Sequence, residues 1–156
     1  MDWIAFARAL HVLGVVHWIG GVAMVTMVIL PAVRRTADPH AMLPLFEAVE
    51  GRFARQARIS VAIVGLSGLY MVQTLGLWDR FTDPAFWWLH AMVLLWAIFA
   101  FVLYIAEPLF LHARFRQRAQ ADPIGKVTFM LRAHRVLLTA SLLTVGAAVL
   151  GAHGGL

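Results

Sequence analysis

The sequence predicts an all-α integral membrane protein, folded as a bundle of four transmembrane helices. Of the 156 residues, 62% are hydrophobic and only 13% are charged, and the mean hydropathy is +0.79. Soluble domains of this length are far more polar. Four apolar stretches lie at 9–33, 59–78, 85–106 and 136–152, each close to the roughly 20 residues that cross a bilayer. Helices bond every backbone group internally, and the alternation of a β-barrel strand is absent. We expect one domain, 1–156.

The first apolar stretch reads as a retained helix rather than a cleaved signal peptide. It runs from Ala9 to Val33 and is interrupted only by His11 and His17. A signal core is shorter, about 7–15 residues, and follows a basic segment. Here the N-terminus carries Asp2 and a single basic residue, Arg8.

The distribution of basic residues predicts the orientation of the helices. Eleven of the thirteen lie in the connections between the first two and the last two spans: Arg34, Arg35, Arg52, Arg55, Arg58, Arg114, Arg116, Arg118, Lys126, Arg132 and Arg135. The positive-inside rule places both connections in the cytoplasm. Both termini and the connection 77–84 then lie outside, as in a multi-pass protein of a bacterial inner membrane.

The charge pattern also identifies the partner surface. The net charge of +5 adjoins apolar spans, so the lipid bilayer, and not nucleic acid, is the expected partner. Residues 41–58 place apolar side chains at helical spacing between charged ones. We therefore expect an amphipathic helix at the inner surface that continues into the second span.

Seven histidines in a chain without cysteine are the main functional signal. The lack of cysteine excludes disulfides, thiolate sites, iron–sulfur clusters and covalently attached haem. A helix rises about 1.5 Å per residue. His11 and His90 each lie 24 residues from a basic residue of the inner connections, at roughly 36 Å. His17 and His153 lie 18 residues from one, at roughly 27 Å.

This depth match predicts a site in the outer half of the bundle. Imidazoles from facing helices hold haem b or metal ions in bundles, so His11 and His90 are the leading pair of axial ligands. Gly14 and Trp18 would line the cofactor, with Gly14 giving it room. His17 points about 120° away from His11 and would serve a different partner.

Each of these residues also has an ordinary structural interpretation. Small residues such as Gly14 commonly allow close helix packing, and His90 beside two tryptophans can extend to the interface. His153 can be a solvated end, and His40, His112 and His134 lie near the inner surface. Met24, Met27, Met71 and Met92 are either Cu(I) ligands or packing residues. Glu107 either pairs with Arg132, His134 or Arg135 or belongs to a proton path.

Several short motifs resemble a known superfamily. Ala9-Leu10-His11 and Trp18-Ile19-Gly20-Gly21 are similar to the first helix of HemJ-type protoporphyrinogen oxidases and of CopD-type copper-resistance membrane proteins. Val49-Glu50-Gly51-Arg52-Phe53 resembles their charged entry to helix two, and Gly68-Leu69 resembles its end. Trp88-Leu89-His90 resembles the start of the HemJ third helix.

The resemblance implies a haem b protein with His11 as a haem-binding residue. The implied reaction is removal of hydrogen from protoporphyrinogen IX, so a porphyrin or a quinone would be the small-molecule partner. Two features depart from the HemJ pattern: Ala91-Met92 replaces a lysine-containing segment, and Arg132-Ala133-His134-Arg135 replaces an Asn-Glu-x-Pro motif. The CopD likeness implies copper as the alternative, held by His11, His17, His90, His153 or the methionines. A chain this small is also a candidate homodimer.

Overall fold

The computed structural model describes residues 1–35, 39–111 and 123–155, and in these ranges it is all-helical. The prediction of an all-α fold with four long apolar helices is confirmed. The helices are α1 (Trp3–Met24), α2 (Leu30–Arg34), α3 (Pro39–Thr74), α4 (Trp87–Phe101) and α5 (Pro123–Ala152). Val25–Ile29 and Val102–Leu111 are π-helical, and Leu77–Phe81 and Pro84–Phe86 are short 3₁₀ turns.

Four helical stretches of the described chain are long and apolar enough to cross a membrane. They are Trp3–Arg34, Pro44–Thr74, Pro84–Pro108 and Ile124–Ala152, of 25 to 32 residues, with hydropathies from 1.2 to 2.3. Many large apolar side chains face outward, among them Leu13, Leu66 and Leu143 at 65–70% exposure. A lipid bilayer is the surrounding that suits such a surface.

Single residues determine where α1 begins and where α3 ends. The Asp2 carboxylate accepts hydrogen bonds from the backbone N–H groups of Ile4 and Ala5 at 3.0 and 3.1 Å, which caps α1. Gly76 ends α3 with φ +62°, a backbone angle that side chains with a Cβ rarely adopt. The second span therefore stops at Thr74, and the chain turns through the 3₁₀ segments into α4.

Two clusters of buried side chains form the core. One joins α1, α3, α4 and α5 through Trp18, Ile19, Val22, Val61, Val64, Leu95, Phe99 and Leu138. The other gathers Val25, Leu30, Val33, Phe46, Val127 and Leu131. Because the second cluster joins the end of α2 to the beginnings of α3 and α5, the four long helices run up and down in turn. Both chain termini therefore lie at the opposite end of the bundle.

The segment 41–58 is part of α3 and extends the bundle. Phe46 is only 1% exposed, in the second cluster. Further along, the Phe53 ring lies so close to Gly21 that a Cβ there would be 1.8 Å from it. The neighbouring Arg52 and Arg55 are therefore level with the middle of the first span rather than with Arg35. Depths measured from Arg35 do not apply to the basic residues of α3.

Candidate functional site

His11 is held against α3 by its Nδ1 atom. That nitrogen lies 3.0 Å from the Val64 carbonyl oxygen and 3.1 Å from Ser67 Oγ. The Ser67 hydroxyl donates to the Ile63 carbonyl at 2.6 Å, so it has no proton to give to His11. Nδ1 must then be the N–H that donates to Val64, since a carbonyl can only accept. Nε2 consequently carries the free lone pair.

The ring of His11 is also fixed in position by a small neighbour. A Cβ at Gly68 would lie 3.3 Å from the His11 Cε1 atom, so the absence of a side chain at 68 gives the imidazole its place. Metal-binding histidines characteristically donate their second ring N–H to a carbonyl or carboxylate, which fixes the tautomer and orients the ring. His11 has this arrangement.

Trp18 carries an unsatisfied donor in the core. The residue is 3% exposed, and its ring packs edge-on against Phe99 at 4.7 Å. Among the side chains that the structure describes, its Nε1 is the one buried polar atom without a hydrogen-bond partner. Such a group costs about 1–3 kcal/mol. Trp18 is seven residues after His11, on the same side of α1 and about 10 Å deeper.

His90 faces the connection that precedes its own helix. Its Nε2 lies 3.0 Å from the Phe81 carbonyl oxygen and its Nδ1 lies 3.4 Å from that of Phe86. The ring also packs edge-on against the Phe81 ring at 5.6 Å. A neutral imidazole has only one N–H. Because Nε2 makes the shorter contact, it is the nitrogen that donates. In this arrangement Nε2 carries the hydrogen and has no lone pair for a metal, and the lone pair lies on Nδ1 beside the Phe86 carbonyl.

His11 and His90 share no hydrogen-bond partner in the described part of the chain. The Trp96 indole donates to the Val61 carbonyl at 2.8 Å, which places this part of α4 level with Val61. His90 is six residues earlier, so it lies about 9 Å closer than Trp96 to the end of the bundle that carries both termini. Their use as a pair of axial ligands stays a prediction.

The other histidines whose side chains the structure describes have partners of their own. His17 is exposed and its Nδ1 lies 2.8 Å from Ser60 Oγ. His153 and His134 contact carbonyls of their own helix at 2.8 and 2.9 Å. His40 lies at the beginning of α3, and His112 lies outside the described residues. No group of three His, Cys, Asp or Glu side chains suited to a metal ion occurs in the described ranges.

At two glycines of the spans, side chains of a neighbouring helix fill the space that a Cβ would need. A Cβ at Gly14 would lie 2.8 Å from a Val64 methyl, and one at Gly65 would lie 2.6 Å from the Trp96 ring. Gly20, in contrast, has nothing within 4 Å. Close helix packing therefore accounts for Gly14 and Gly65 in this structure.

One polar network was not predicted from the sequence. Arg58 of α3 pairs with Glu107, with Nη2 and Oε2 3.2 Å apart, whereas the expected partners of Glu107 were on the fourth span. Arg58 Nε also donates to the Leu103 carbonyl at 2.9 Å. A π-helix pairs each carbonyl with the N–H five residues later, and for Leu103 that residue is Pro108, which has no N–H. Arg58 supplies the missing donor.

No protein-family model, curated protein or solved structure matches the chain. A proposal for its function rests on the residues described above.

Proposed function

We propose that the chain is a multi-pass protein of a bacterial inner membrane that binds haem b through His11 and serves in electron transfer or porphyrin oxidation. The observation that carries the proposal is the anchored His11 ring, whose Nδ1–H is held by the Val64 carbonyl at 3.0 Å while Nε2 keeps its lone pair. Bundles hold haem through such imidazoles. Bound haem would supply one-electron exchange at its iron.

The residues on α1 fit such a group. His11 Nε2 is an acceptor without a hydrogen-bond partner in the described part of the chain, and Trp18 Nε1 is a buried donor without one. Both lie on the same side of α1, where an acceptor on a bound group would relieve the unsatisfied indole N–H. His11 would bind the haem, and Trp18 would orient it through a hydrogen bond from its indole N–H.

The proposed second ligand, His90, requires a local change. Its Nε2 would have to release the Phe81 carbonyl, which lies 3.0 Å away. That carbonyl belongs to an exposed connection and can pair with water instead. The HemJ-like motifs support a porphyrin or a quinone as the reaction partner. The positive-inside rule supports outer termini, and a homodimer remains part of the proposal.

Copper is the alternative, and no contact among the described residues favours it. Met24 and Met27 are 53% and 70% exposed on the lipid-facing surface of the first span, so they point toward lipid rather than toward His11. Packing against acyl chains accounts for them.

An optical spectrum of the detergent-purified protein tests the proposal. We expect a Soret band and, after reduction, an α band, with both bands lost in His11→Ala. His153→Ala is the matched control, because His153 is exposed and contacts only its own helix. His90→Ala should change the spin state but not abolish binding if His11 is the anchor. A colourless protein from haem-sufficient cells would refute haem binding, and copper in the same sample would favour the alternative.

A further inference from the structure

A groove between α1 and α3 on the lipid-facing surface of the bundle contains polar groups at the end further from the chain termini. It has a volume of about 320 Å³ and is lined by Leu13, His17, Gln56, Ile59, Ser60 and Ile63, among others. Leu13 and Ile59 are each 65% exposed, so this surface faces the lipid. A ligand that reaches it must be soluble in the bilayer.

The polar groups of the groove have unused hydrogen-bonding capacity. His17 is exposed and uses Nδ1 toward Ser60 Oγ at 2.8 Å. Its Nε2 and the amide of the exposed Gln56 have no hydrogen-bond partner within the described residues. Polar side chains that face lipid are costly and are usually functional. Two of them from different helices in one groove point to a ligand with polar atoms.

A second groove continues the first toward the outer end of the bundle. It has a volume of about 580 Å³ and shares Leu10 and Ile63 with the first. Its other lining residues are Trp3, Phe6, Ala7, Leu66, Ser67 and Tyr70. The two grooves together form an elongated cleft, polar at one end and apolar with aromatic rings along the rest.

We propose that this cleft binds a lipid-soluble quinone, with the headgroup at His17 and Gln56 and the isoprenoid tail along the apolar part. Imidazole and amide groups match the carbonyl oxygens of a quinone and the hydroxyls of its reduced form. Neither groove, within the described residues, is lined by a charged side chain. An anionic phospholipid would call for Lys or Arg at its headgroup, so an uncharged head fits best.

The headgroup end of the quinone site is separate from the proposed haem ligand, whereas Ser67, which contacts His11, lines the tail end. His17 and His11 are six residues apart on α1 and point about 120° apart. His11 contacts the α3 residues Val64 and Ser67, whereas His17 contacts Ser60. Binding of a quinone in the cleft therefore requires no bound haem.

Photolabelling with a short-chain azidobenzoquinone in quinone-free phosphatidylcholine nanodiscs tests the proposal. We expect labelled peptides from α1 and α3, competed by unlabelled quinone. Loss of the hydrogen bonds in His17→Leu/Gln56→Leu should raise the half-maximal concentration about tenfold. Ile63→Trp should block labelling sterically while leaving the polar groups intact. Thr139→Val, a lipid-exposed polar change on α5, is the matched control and should label normally.

Three results would overturn the quinone site. They are labelling spread evenly over all four helices, an unchanged concentration dependence in the double variant, and crosslinks showing that a second copy of the chain covers the cleft. His11→Ala should label like the wild type. Loss of haem with retained labelling in this variant would thus show that the quinone site does not depend on haem binding at His11.

Discussion

Arg58 stabilises the bundle mainly by pairing a carbonyl that the helix itself cannot pair. Its Nε donates to the Leu103 carbonyl at 2.9 Å, and its Nη2 lies 3.2 Å from Glu107 Oε2. The replacement Arg58→Met keeps most of the apolar stem and removes both polar contacts. The measured quantity is the free energy of unfolding in mixed micelles, which is determined by titration with SDS.

The expected loss follows from two contributions. A carbonyl left unpaired away from water costs about 1–3 kcal/mol. The Arg58 and Glu107 side chains are 33% and 21% exposed, so the ion pair is partly screened and contributes at most about 1 kcal/mol. We expect Arg58→Met to lower the free energy of unfolding by about 2–3 kcal/mol. Arg35→Met, exposed at the end of α2, is the matched control and should change it by less than about 0.5 kcal/mol.

A double-mutant cycle with Pro108→Ala isolates the contact with the carbonyl. If the segment stays π-helical, the new alanine N–H pairs with the Leu103 carbonyl, and if it becomes α-helical, the Glu107 N–H pairs with it instead. In both cases Leu103 has a donor within its own helix. Arg58→Met should then cost about 1 kcal/mol less in the Pro108→Ala background than in the wild type. Additive effects, equal within about 0.5 kcal/mol, would refute the role assigned to Pro108.

Two further predictions concern packing and orientation. Gly65→Ala places a Cβ 2.6 Å from the Trp96 ring and should destabilise the protein by about 1–3 kcal/mol, whereas Gly20→Ala meets nothing within 4 Å and should change stability by less than about 0.5 kcal/mol in the same titration. Because the chain has no cysteine, Thr82→Cys and Arg35→Cys can be labelled singly in whole cells. The first should react with an impermeant maleimide and the second only after lysis; the reverse would contradict outer termini.

The sequence predicted the four apolar helices because hydrophobic length is a local property of the chain. It predicted their ends less well, since these depend on single residues. Gly76 with its φ of +62° ends α3 at Thr74, although the apolar run continues to Trp78. The same limit applies to residues 41–58, because burial of Phe46 depends on neighbours supplied by α2 and α5.

The candidate site was predictable only in part, for a related reason. The sequence singled out His11 as an ionisable group within an apolar span and Trp18 as a residue that would line the cofactor. It could not show that Val64 fixes the tautomer of His11 or that Trp18 Nε1 lacks a partner. The pairing of Glu107 with Arg58 was also missed. Helix rise gives depth along one helix, whereas a pair also depends on which helices are adjacent and which way each side chain points.

The two histidines of α1 illustrate why direction matters as much as depth. His11 contacts Val64 and Ser67 at the α3 interface and lies on the side of α1 that carries the buried Trp18. His17 lies about 9 Å further along the same helix and faces the lipid-exposed groove. A group bound at His11 would be shielded by the bundle, whereas a ligand at His17 could enter and leave from the bilayer. If both proposals hold, α1 would place an enclosed cofactor beside a diffusible partner without the bundle opening.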